Sequence, residues 1–246
     1  MTAIDGSGAS QQRFALVLGG TGALGSEVCR GLHAAGVPTA FTYHRNQARA
    51  AALQEQLGQA AHQVSLQERA PLRALLAKLE ATGQTPSVLI HCAAISAGLT
   101  LQTLTDAAFD EAVAVNCSSA LVAAQELLPR LRARGGGDIV LCGGLDRAQS
   151  LPLPVHYAAT QGMLQTLTMA LAKELGPAGI RINMLAVGAL DVGLSTQLSP
   201  QQLADYKNFS AMRRLGTAPE LAKAALFLAL RNTYMSGKIL AVNGGI

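Results

Sequence analysis

The chain has 246 residues, half of them hydrophobic and only 14% charged, with 19 Lys+Arg against 15 Asp+Glu for a formal charge of +4. Such a composition excludes intrinsic disorder, which combines low hydrophobicity with high net charge. So little charge leaves no dense basic stripe, and no nucleic-acid partner is expected, although a pI near 9.0 suits acidic partners.

The first residues, 1–12, read as a flexible polar tail. An acid and small polar residues stand there where a secretory signal would place basic and apolar regions, so a cytoplasmic protein is expected. Phe14–Leu18 is an apolar strand candidate, followed by a glycine-rich turn and a helical pattern through Ala35. Pro38–Tyr43 reads as a second strand, with an Ala-rich helix to about Leu57. A short third strand is expected at His62–Ser65, then helical spacing over Ala70–Ala81. Ser87–Cys92 is the fourth strand and Asp106–Arg134 one long helical region. Asp138–Cys142, Ile180–Ala186 and Lys238–Val242 complete the strands, with a helix at Val155–Leu175 between the first two. Continuous apolar strands alternating with helices imply a doubly wound, seven-stranded parallel sheet covered on both faces.

Two capping boxes, Ser199-Pro200-Gln201-Gln202 and Thr217-Ala218-Pro219-Glu220, start short helices near Pro200 and Ala218. The stretch of about 187–216 is the one long excursion, placed where a substrate lid would stand. Nothing divides the chain, so residues 13–246 are read as one domain. No uncharged apolar run reaches the ~20 residues of a spanning helix, and no membrane is expected. Cys29, Cys92, Cys117 and Cys142 lie far apart without ligand spacing, so they read as buried reduced thiols and no metal is expected.

Chemistry enters at Gly19-Gly20-Thr21-Gly22-Ala23-Leu24-Gly25, between the first strand and the first helix. Glycines there let backbone N–H groups approach a pyrophosphate at the helix N-terminus. The second strand ends in Thr42-Tyr43-His44-Arg45-Asn46, with no acid to bind the adenosine ribose of NAD. Arg45 can pair with a 2′-phosphate instead, so NADP(H) is preferred over NAD(H).

LVLGGTGALG, AVNCSSAL, DIVLCGG, YAATQGMLQTLTMALAKELGPAGIRINMLAVG and SGKILAVNGGI together resemble the short-chain dehydrogenase/reductase family over about Arg13–Ile246. The likeness is greatest to 3-oxoacyl-acyl-carrier-protein reductases. It implies a Rossmann fold, NAD(P)(H) held across the sheet edge, and an Asn, Ser, Tyr, Lys tetrad. Asn116 and Tyr157 match that tetrad, whereas Gly144 stands at the Ser position and Gln161 at the Lys position. The middle glycine of the family's nucleotide loop is Ala23 here, beside Gly22. Ala93 and Gly188 fall at further cofactor positions, and the family Thr near the nicotinamide is Val192.

These departures have a chemical cost. A tyrosine with a pKa of about 10 is protonated at neutral pH and can donate in reduction. A lysine would lower that pKa for oxidation, which Gln161 cannot do, although its amide could reach a ribose hydroxyl. Losing the serine removes a donor worth roughly 10²–10³ in rate, leaving Gly144 only its backbone N–H. Ser150, Asp146 and His156 are weak candidates for substitutes. The Arg130, Arg132 and Arg134 run suits a helix C-terminus.

Three functions stay open. One is a slow NADPH-dependent ketoreductase for a small-molecule or acyl-carrier-protein-bound β-ketoacyl or polyketide-type carbonyl. Another is a catalytically silent structural or regulatory subunit. The last is dehydration, isomerisation or cyclisation in the same pocket. The resemblance further implies a homodimer or homotetramer, or a hetero-oligomer with an active relative.

Overall fold

The run Ala15–Leu18, every side chain buried, is strand β1 in a computed structural model that describes residues 13–144 and 153–246. The tail and the positions of Asp146 and Ser150 lie outside the described residues. Six more strands complete one parallel sheet with it: β2 (Thr39–Tyr43), β3 (Ala60–Gln63), β4 (Val88–His91), β5 (Gly137–Gly143), β6 (Ile180–Val187) and β7 (Ile239–Val242). Their order, β3-β2-β1-β4-β5-β6-β7, reverses direction between β1 and β4. A crevice opens at the strands' carboxyl ends where such a reversal occurs.

The two faces of β1 feed different cores, as period-two alternation requires. Leu16 and Leu18 pack with residues of α3 (Arg69–Ala81), α5 (Ser119–Ala133) and α6 (Val155–Leu175). Ala15 and Val17 pack with those of α1 (Ala23–Ala34), α2 (Gln47–Leu57) and α8 (Ala218–Leu226). The expected single domain of seven parallel strands, helix-covered on both sides, is the observed architecture.

One expectation needs correction and another gains detail. The third strand lies two residues earlier than read, because its register is set by β2: Ala40 opposes Ala60 and Tyr43 opposes Gln63. Beyond that, Val64 and Leu66 turn into the α3-side core. The long helical region runs unbroken over Asp106–Ala133, with a change of pitch inside it. The short helix α4 (Asp106–Val113) passes through a π-helical turn, Ala114–Ser118, before α5 begins. Such turns insert one residue into the helix and re-aim the side chains beside it. Residues 106–133 are long and apolar enough to cross a membrane by length and composition, yet half of their most apolar window is buried in this domain.

Both capping boxes form. The first starts α7 (Pro200–Phe209) within the excursion, whose base is closed by a parallel bridge between Leu190 and Gly216.

Candidate active site

The glycine turn is built from β1 and anchored by β2. Thr42 Oγ1 and its carbonyl accept from the N–H groups of Gly19 and Gly20 at 3.0 and 2.8 Å. Gly19 has φ of 82°, and a Cβ on Gly25 would stand 2.2 Å from the Gly19 carbonyl oxygen, so α1 starts hard against the turn. No side chain caps α1 at Gly22. A helix start of this kind leaves its first N–H groups without intrahelical acceptors. Ala93 crosses this turn closely, its backbone 2.8 Å from where a Gly19 Cβ would be. Gly193 of the excursion approaches Ala23 from the other side. At the end of β2, Asn46 caps α2 by accepting from Arg49 N, and the neighbouring Arg45 is exposed.

The remaining predicted residues meet around the N-terminal half of α6. Asn116, on the π-helical turn, is fully buried. Its Oδ1 accepts from Ile95 N at 2.8 Å, and its Nδ2 donates to Ile95 O at 2.9 Å and Thr160 Oγ1 at 3.0 Å. Thr160 in turn donates to the Tyr157 carbonyl and accepts from Gln161 Nε2 at 3.3 Å. One hydroxyl donor and two acceptor positions are all a threonine has, so Thr160 is saturated.

Gln161 is wholly buried, and its Oε1 accepts from Gly144 N at 2.9 Å. Sequence reasoning read that N–H as a donor for substrate and that amide as a ribose partner; here they bond to each other. Tyr157 lies half-buried on the same face of α6, one turn earlier. A Cβ at Gly144 would be 2.2 Å from its hydroxyl oxygen. Burial pushes the phenol up to about 12.

His156 is buried beside it, and its Nε2 accepts from Ala97 N at 3.2 Å. It thus holds the loop after β4, and burial lowers its pKa. His91, at the end of β4, is also enclosed. Ser119 Oγ donates to the Val115 carbonyl and lies 2.7 Å from His91 Nε2. That geometry assigns the ring proton to Nε2, and burial lowers its pKa to about 4.

The excursion is tied down over the end of β6. Tyr206 of α7 donates to the Asn243 carbonyl at 2.7 Å. A Cβ at Gly188 would be 2.1 Å from its hydroxyl. Ser210 Oγ donates to Gly244 O, while Phe209, Met212 and Val192 remain exposed. Arg130, the first of the basic run, is paired with Glu80 of α3.

Sequence reasoning missed Thr160 as a junction and Tyr206 as an anchor. It also missed the approach of Cys92 to Cys142, whose sulfurs are 3.7 Å apart on neighbouring strand ends. Fifty residues separate those two cysteines, and no local pattern signals the encounter. All four cysteines are free, with Cys92 half-buried and the others buried. Among the described residues no cluster of three or more metal-ligating side chains occurs.

A family profile described as Enoyl-(Acyl carrier protein) reductase matches residues 20–246. A 3-oxoacyl-[acyl-carrier-protein] reductase of Chlamydia trachomatis is 26% identical over 98% of this chain and 99% of its own. Galactitol 2-dehydrogenase (L-tagatose-forming) of Cereibacter sphaeroides is 31% identical over 94% of this chain and 93% of its own. A solved short-chain dehydrogenase/reductase from Serratia marcescens superposes with a TM-score of 0.86 at 25% identity, covering 96% of this chain and 98% of its own.

Proposed function

This chain belongs to the short-chain dehydrogenase/reductase family, and from that membership we propose that it is an NADP(H)-dependent ketoreductase of impaired catalytic power. The proposed substrate is a β-ketoacyl or polyketide-type carbonyl. The observation that carries this reading is the Tyr157 phenol set against the end of β5, 2.2 Å from where a Gly144 Cβ would be, since a phenol is protonated at neutral pH.

The residues present fit the cofactor. The uncapped N-terminus of α1 suits a pyrophosphate held by Gly19, Thr21, Gly22, Ala23, Leu24 and Gly25. Arg45, exposed and without an acid among its neighbours in sequence, suits a 2′-phosphate. Ala93, close against the Gly19 turn, and Gly188, just after β6, are the further residues assigned to the cofactor. NADPH supplies a hydride when bound.

Tyr157 gives its proton to the carbonyl oxygen as that oxygen gains charge. No second donor comes from Gly144, whose N–H is already engaged by Gln161. That loss costs on the order of 10²–10³ in rate. Alcohol oxidation needs the phenolate, which at a pKa of about 12 makes up only ~10⁻⁵ of the molecules at neutral pH. A protonated phenol supports reading the chain as a reductase, in line with its acyl-carrier-protein reductase relatives. The exposed Phe209 and Met212 on the excursion support an apolar substrate beneath a lid. Exposed Val155, Met163 and Met169 along α6 support assembly into a dimer or tetramer.

A second reading, a cofactor-binding subunit without turnover, is favoured by the bond between Gln161 and Gly144. NADPH consumption with a 3-oxoacyl thioester separates the two. The reductase reading expects measurable turnover that falls about 100-fold in Tyr157→Phe. Equal rates for both proteins would overturn it and leave the subunit.

A further inference from the structure

Tyr157 and Gln161 stand four residues apart on α6, so they face the same neighbour. That neighbour is the carboxyl end of β5. Gln161 Oε1 holds Gly144 N at 2.9 Å. The same oxygen stands 2.5 Å from where a Gly143 Cβ would be, so the amide is wedged against the strand. The Tyr157 hydroxyl occupies the space in which any side chain at position 144 would begin, 2.2 Å from its Cβ. Behind them Thr160 joins Gln161 to Asn116 and so to the loop after β4.

We propose that Gln161 and Gly144 form one positioning unit for Tyr157. Gln161 fastens the strand end to α6, and the missing side chain at 144 admits the phenol. Neither position then accepts the family residue by itself. Gly144→Ser alone drives its Cβ into the phenol oxygen. Gln161→Lys alone sets an ammonium, with three donors and no acceptor, against the Gly144 N–H in a buried place. In the double variant the displaced phenol leaves room for the lysine and the serine hydroxyl accepts one of its donors, so the two losses partly overlap. This inference rests on the reading of Tyr157 as proton donor only for its effect on turnover.

The test is an alkaline absorbance titration of the cofactor-free protein, with Tyr157→Phe identifying the transition of that residue. Among the described residues, burial is what raises this phenol's pKa. Gly144→Ser, which expels the phenol, is expected to move its midpoint about one unit toward the ordinary value of about 10. Gln161→Met, which keeps apolar bulk but loses the acceptor, is expected to do the same. Gln161→Glu, which keeps an acceptor oxygen, is expected to leave the midpoint at or above that of the parent. The double variant Gly144→Ser/Gln161→Lys should melt higher than the summed losses of its single variants require.

An unchanged Tyr157 midpoint in Gln161→Met, with melting losses that simply add, would overturn the proposal. Should Gly144→Ser fail to fold, the Gln161→Met titration decides alone. Absence of NADPH binding in every variant would end the reductase reading and leave this titration unaffected.

Discussion

Gln161 gives its side-chain oxygen to the amide of Gly144 at 2.9 Å. Each residue stands where the family keeps a catalytic group, and each satisfies the polar atom the other would leave buried. An unsatisfied buried donor costs about 1–3 kcal/mol, so the pairing resolves what two independent losses would leave unpaired. In the proposed reductase reading it engages both groups with each other and leaves proton donation to Tyr157.

Arg45 is expected to read the cofactor's 2′-phosphate. Arg45→Ala should weaken NADPH about 10-fold or more while changing NADH little, the equivalent of one charge-assisted hydrogen bond. Calorimetry with both nucleotides checks this, and a parallel loss for both would contradict the assignment.

The Tyr157 phenol is raised by burial to about 12 from about 10. Folding therefore favours its protonated form, and its contribution to stability is present below about pH 10 and lost as pH rises through about 12. Reduction should show no alkaline falling limb from this group until above about pH 10. A rate profile with a midpoint near neutrality would assign the acid to another residue.

His91 carries the opposite sign. Its folded pKa is lowered to about 4 from 6.5, so the unfolded chain binds the proton more readily. Stability is full above about pH 6.5 and falls as pH drops through about 4. His156 and His62, both lowered by burial, act in the same direction. Denaturant unfolding from neutral to acid pH should show this slope, and His91→Leu should flatten it.

Gly188 is glycine because the Tyr206 hydroxyl and the Asn243 backbone leave no room, at 2.1 and 2.6 Å from a Cβ. Both contacts hold α7 over the end of β6. Gly188→Ala is expected to cost about 1–3 kcal/mol through overpacking, with part recovered in Gly188→Ala/Tyr206→Phe. Tyr206→Phe alone should cost about 1 kcal/mol, one hydrogen bond. Thermal unfolding of the three variants tests the set.

Much of the fold was legible because strong local signals agree. Continuous apolar strands, two capping boxes and a glycine turn after the first strand each have a short-range physical cause. The third strand slipped because its register belongs to β2, a long-range partner. The π-helical turn around Asn116 was invisible because it leaves the apolar periodicity nearly intact. At the site, the identities of Gly144, Tyr157 and Gln161 could be read, but not that the first and last bond to each other. That encounter depends on how α6 returns across the end of β5. Thr160, Tyr206 and the Cys92–Cys142 approach were hidden for the same reason.

The central claim is that this chain uses an NADP(H) cofactor. Titration of the purified protein with NADPH and then NADH, followed by nicotinamide fluorescence, tests it without any guess about substrate. Saturable binding of NADPH in the micromolar range, with NADH markedly weaker, is the predicted result. No binding of either nucleotide at millimolar concentration would contradict hydride transfer by the isolated chain.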